Sequence, residues 1–147
     1  MSWDVDRWRR ATSASGSTWD HAIYLCMAVG GPHDLLFEDI TVDGRGGLAS
    51  AVHSDHSDAS NQNDWNVTVR RLHVRGTQQA IILWDPTVHN ITFDTADITG
   101  ALAVAVRYEA AGATGIMFKN NTSTGSGFYS NLGTNPPGVT FSNDSFH

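Results

Sequence analysis

Apolar and polar residues alternate along this chain in short bursts, and the bursts recur. From Asn90 to Gly100 the residues read Asn-Ile-Thr-Phe-Asp-Thr-Ala-Asp-Ile-Thr-Gly. Closely similar stretches run from Asp34 to Gly44, Asn66 to Gly76, Gly115 to Gly125 and Gly138 to His147. The closing glycines Gly76, Gly100 and Gly125 are separated by 24 and 25 residues, a period that dictates architecture before any other feature. Each repeat holds a second burst: Ala22–Leu25, Ala51–Ser54, Ala80–Leu83, Ala105–Tyr108 and Gly127–Ser130. Period-two alternation predicts half-buried strands, two per repeat, and helical spacing is absent. Two-residue hairpin turns of the Asn-Gly type are also absent between the bursts, so each strand is expected to pair in parallel with its counterpart one repeat later.

Stacking converts the alignment into faces. Leu35, Val67, Ile91, Ile116 and Val139 form one inward column, and Phe37, Val69, Phe93, Phe118 and Phe141 the next. In-register parallel strands bring like side chains to about 4.8 Å, so these columns predict aliphatic and aromatic ladders. Between them Leu36, Thr68, Thr92, Met117 and Thr140 face outward. The following outward column, Glu38, Arg70, Asp94, Lys119 and Ser142, alternates in sign. That reads as an ion-pair ladder pinning register on a solvated surface, because like charges stacked in one column would repel. Asp39, Arg71, Thr95, Asn120 and Asn143 align at a bend, where asparagines satisfy turn backbone; the Asn-x-Ser/Thr matches follow from the same grammar.

Equivalent strands stacked at constant spacing resemble the right-handed parallel β-helix of the pectate-lyase-like superfamily. The expected fold class is therefore all-β, a solenoid of about five coils covering residues 21–147. The repeat runs into the last residue, which points to part of a longer solenoid. Residues 1–20 form a separate extension with Trp3, Trp8 and three arginines, a cap over the open end or a loose terminus. Asp34 and Asn66 are 32 residues apart, against 24 from Asn66 to Asn90; the surplus falls in the polar stretch from His53 to Asp64, read as a protruding loop. The Asn-Thr-Asp, Gly-His-Gly and Arg-Ile-Lys signatures of polygalacturonases do not occur, nor does the Arg-x-Pro-x-x-Arg segment of pectate lyases.

Charge narrows the partners. A net charge of −6 argues against nucleic acid, whose binders carry basic patches. No apolar run reaches membrane-spanning length, and the single cysteine, Cys26, excludes an internal disulfide framework. The resemblance implies an extracellular setting, although no signal peptide opens this chain. No cofactor is expected. His53, Asp55, His56 and Asp58 include metal-ligand types but lack a third well-spaced imidazole or thiolate, so a solvated loop is favoured over a metal site. The open last coil predicts a homodimer through an unpaired edge.

Candidate chemistry gathers on the second burst. Alternation places Tyr24, His53, Ile82, Arg107 and Tyr129 outward, followed two residues later by Cys26, Asp55, Trp84, Glu109 and Asn131. Aromatic rings beside an acid, a base and a histidine predict a recognition groove. Tyr24, Trp84, Tyr129 and Asn131 are its substrate-binding candidates, for a polysaccharide or oligosaccharide. Asp55, Glu109, Arg107 and His53 are its catalytic candidates. Asp55 and Glu109 stand two coils apart, about 9–10 Å by strand spacing, with Trp84 between them. That approaches the separation of an inverting glycosidase pair, with Glu109 next to Arg107 suited to the base. A glycoside hydrolase is therefore the first expectation. The alternatives are a lyase in which Arg107, His53 or Tyr129 removes a proton beside a uronate carboxylate, and a non-catalytic carbohydrate-binding or structural coil.

Overall fold

A computed structural model describes residues 21–25, 34–54 and 66–147. Eleven strands follow one another along them: β1 (His21–Leu25), β2 (Leu35–Ser54), β3 (Val67–Leu83), β4 (His89–Asp94), β5 (Asp97–Thr99), β6 (Val104–Tyr108), β7 (Thr114–Lys119), β8 (Thr122–Thr124), β9 (Phe128–Ser130), β10 (Val139–Ser142) and β11 (Ser145–Phe146). Every pairing among them is parallel and joins a strand to its counterpart one coil on. The result is an all-β, helix-free, right-handed parallel β-solenoid of roughly four turns among the described residues, the fold class expected from the repeats.

Each coil has three sides, not two. Leu35–Glu38 of β2, Val67–Arg70 of β3, β4, β7 and β10 stack as a first sheet. Ile40–Asp43, Leu72–Arg75, β5, β8 and β11 stack as a second. The second burst, from β1 through the ends of β2 and β3 to β6 and β9, makes the third. The repeated motif that reads as one strand is thus a strand, a corner and a second strand. The corner is the aligned column of Asp39, Arg71, Thr95, Asn120 and Asn143, all at φ between 52° and 58°. Left-handed backbone turns the chain without a hairpin, and Asp and Asn adopt it most cheaply among residues with a side chain. Thr95, a β-branched residue, is held there by its amide donating to the Lys119 carbonyl at 2.9 Å and its hydroxyl donating to Asp94 at 3.0 Å. Two further left-handed columns close the coil: Asp34, Asn66, Asn90, Gly115 and Gly138 before the first sheet, and Arg45, Gly76, Gly100 and Gly125 after the second.

The inward columns behave as the alternation predicts. Phe93 and Phe118 are fully buried and stack with centroids 5.2 Å apart, and Phe141 continues the stack 5.5 Å beyond Phe118. Val67, Ile91 and Ile116 are buried beside them. Burying side chains of this size stabilises by about 1.5–3 kcal/mol each, which makes this ladder the principal stabilising element of the fold. The corner interior is polar towards one end. Asn121 is buried, with its side chain accepting from the Ala96 amide (2.8 Å) and donating to the Phe93 carbonyl (3.0 Å) and Asp144 (2.7 Å). Outside, the charge ladder is present: Arg70 meets Glu38 at 2.5 Å, Arg71 bridges Glu38 and Asp39, and Lys119 lies 3.8 Å from Asp94. Asn120 and Asn143 continue the corner column with amide hydrogen bonds of 3.1 Å to Asp94 and 3.3 Å to Asn120.

Candidate functional site

The third sheet carries the candidate groove, and its register sets which side chains meet. Tyr24 pairs with His53, His53 with Ile82, Ile82 with Arg107 and Arg107 with Tyr129, so these five residues stand in one column. Its two ends are open: Tyr24 is 49% and Tyr129 46% exposed. Four strand spacings separate them, about 19 Å.

The middle of the column departs from expectation. His53, expected on an open face, is only 1% exposed, and Ile82 is 4% exposed. Ala51–Ser54 and Ala80–Leu83 are buried at every position, the burial of a strand covered on both faces. For His53 the covering rings are identifiable. Its imidazole meets Tyr24 edge-on at 5.4 Å, Trp84 edge-on at 4.9 Å and His21 at 4.1 Å. His53 Nδ1 and His21 Nε2 share a hydrogen bond of 2.8 Å, and His21 Nδ1 is bonded to the buried Ser50 hydroxyl at 2.7 Å. His53 therefore supports the aromatic cluster from beneath.

His21 is the residue that alternation misses. Counting by twos puts it on the opposite side from Tyr24, yet the two rings stack at 5.6 Å. The ladder skips Ala22, Ala51 and Ala80, and in the last full coil the successive amides of Ala105 and Val106 both donate to the Gly127 carbonyl, at 3.0 and 3.4 Å. The irregular position recurs from coil to coil without a change of register, and it lies between His21 and Tyr24, where counting by twos fails. The signal was present in the sequence as a column of small residues, Ala22, Ala51, Ala80, Ala105 and Gly127.

Trp84, Arg107 and Glu109 make the centre of the site. Arg107 lies over the Trp84 ring at 5.0 Å from its centroid, and its Nη2 donates to both Glu109 oxygens, at 2.9 and 3.2 Å. Trp84, expected to stand open, is half-buried because His53 and Arg107 pack on it. A fixed corner holds it: Asp85, itself buried, accepts from the Thr87 amide (2.8 Å) and hydroxyl (2.7 Å), and the Trp84 amide donates to the Ser54 carbonyl at 3.3 Å. Glu109 is positioned by its own amide on the Leu83 carbonyl at 2.9 Å. The indole N–H of Trp84 and the Nε–H of Arg107 are buried without a hydrogen-bond partner among the described residues. Groups left in that state cost about 1–3 kcal/mol, and each calls for an explanation.

Asn131 sits in the exposed turn after β9 rather than in the column. Asp55, the proposed partner of Glu109, lies outside the described residues, as do Cys26, His56, Asp58 and the extension over residues 1–20. Among the described residues no group of three His, Cys, Asp or Glu side chains is placed to hold a metal ion, and no helix is long and apolar enough to cross a membrane.

The fold is an all-β, right-handed parallel β-solenoid consistent with pectate-lyase-like architecture. That architecture serves enzymes, and it is equally consistent with a carbohydrate-binding or structural β-helix module. No protein-family model, characterised relative or solved structure matches the chain.

Proposed function

We propose that this protein binds polysaccharide along the third sheet, with the glycan lying parallel to the solenoid axis. One observation carries the proposal: two exposed tyrosines at the ends of a single column, with a fixed Trp84–Arg107–Glu109 cluster between them. A pyranose unit is about as long as one rung, so the column accommodates a short run of sugars with a ring at each end. Tyrosine faces offer flat apolar area to the C–H faces of pyranoses, while Arg107 and Glu109 offer a donor and an acceptor to hydroxyls.

The test is calorimetric titration with oligosaccharides of increasing length. Affinity is expected to rise until the ligand spans both tyrosines and then level off. Tyr24→Ala and Tyr129→Ala should each weaken binding by about tenfold, the scale of one lost stacking contact. Length-independent binding that ignores both substitutions would remove the basis of the proposal.

A hydrolytic role is the second reading, favoured by the Glu109 carboxylate, which faces the groove next to Arg107 and Trp84. It requires a second carboxylate across the sugar, for which Asp55 is the sequence candidate. Release of reducing ends that Glu109→Gln abolishes would establish it; binding without release leaves a module.

A further inference from the structure

We infer that the glycan this face takes is uncharged, a neutral polysaccharide and not a polyuronate. The inference rests on the polysaccharide-binding reading and concerns its specificity. Recognition of a uronate needs a cation with free donors, best of all an arginine presenting a bidentate edge. Arg107 is the only lysine or arginine on the described strands of the third sheet, and its charge is already paired with Glu109. Nη2 serves both oxygens of Glu109, Nε is buried, and the guanidinium plane is covered on one side by Trp84. A uronate carboxylate approaching Arg107 would meet the Glu109 carboxylate already in place. The histidines offer no substitute. His53 is covered, and both ring nitrogens of His21 are engaged, one by Ser50 and one by His53.

A hydroxyl fits where a carboxylate does not. Each sugar hydroxyl is at once a donor and an acceptor, so it can give its proton to a lone pair of Glu109 and accept from the remaining Arg107 nitrogen. The paired charges cancel, leaving the face electrically neutral at short range. At long range the net charge of −6 opposes the approach of any polyanion. Near and far fields thus select in the same direction.

The experiment compares neutral hexasaccharides (β-glucan, xylan and mannan series) with oligogalacturonate of the same length, at low and high salt, on the parent and on three variants. In the parent, the best neutral ligand should bind at least about tenfold more tightly than the uronate, the size of one unfavourable charge contact. Salt should raise the uronate's affinity, if any, and leave the neutral ligand's unchanged. Glu109→Gln removes the competing carboxylate and releases Arg107, so it should narrow the gap in favour of the uronate. Tyr24→Ala and Tyr129→Ala should weaken the neutral ligand. Uronate binding equal to or tighter than neutral binding, and lost with the tyrosines, would overturn the neutral specificity while leaving the polysaccharide reading intact. Absence of binding by every glycan, or binding indifferent to the tyrosines, would overturn both.

Discussion

At the residue scale, position on the inner or outer face decides what a side chain contributes. Phe93 is fully buried between Val69 and Phe118 in its column, whereas Thr92 beside it is half-exposed. Phe93→Ala is therefore expected to cost about 3–5 kcal/mol, and Thr92→Ala about 0.5 kcal/mol or less; urea denaturation midpoints of the two variants give the comparison. Asp94 shows how the outer ladder couples to pH. The Asn120 amide hydrogen bond, joined by the Thr95 hydroxyl and the Lys119 ammonium, outweighs partial desolvation and holds its carboxyl below the ordinary 3.8. A depressed carboxylate contributes stability that is present above the unfolded value and lost as pH falls through the folded one. The midpoint difference between the parent and Asp94→Asn should accordingly be full at neutral pH, begin to shrink near the ordinary 3.8 and vanish only below the depressed folded value. The effect is small, because the group is largely solvated.

At the element scale, the corners matter more than the strands they join. Gly138 and Gly125 both have positive φ, 79° and 82°. A Cβ on Gly138 would fall on the Ala113 carbonyl oxygen of the preceding coil, whereas one on Gly125 meets nothing. Gly125→Ala should cost only the left-handed backbone penalty, about 1–2 kcal/mol. Gly138→Ala must also push the last rung off the one beneath it, so its thermal midpoint should fall well below that of Gly125→Ala. Equal midpoints would show that the stacking distance at this corner is not set by the glycine. The irregular alanine column of the third sheet is the other element-level device. It brings His21 and Tyr24 to one side and so builds the cover over His53.

At the scale of the whole molecule, a solenoid is a chain of nearest-neighbour contacts, and its rungs are not equally protected. β4 is bonded to β3 on one side and β7 on the other; β10 is bonded to β7 alone among the described strands. Val139 and Phe141 are correspondingly only partly buried, while Ile91 and Phe93 are fully so. Amide hydrogen exchange should thus be fastest in β10 and β11 and slowest in β4 and the first half of β3, read residue by residue by NMR. Uniform protection along the axis would mean that the end rung is covered in solution.

What the sequence by itself determined was periodic: the parallel stacking, the inward aromatic and aliphatic ladders, the alternating charges and the aligned corner. Each of these follows from the identity of residues one coil apart, and a repeat prints that identity directly. What only the tertiary structure decided was where periodicity breaks. The corner column splits the motif into two strands because left-handed backbone is adopted at Arg71 and Thr95, residues whose chemistry does not announce it. His53 left the open face because the rings of His21, Tyr24 and Trp84 pack around its imidazole, with His21 on the side that alternation denies it. Arg107 and Glu109 could be placed on one face by counting, but their two-oxygen pairing and the indole beneath them needed coordinates. Period-two alternation specifies the side on which a residue emerges only while the strand stays regular, and His21 and Tyr24 meet where it does not.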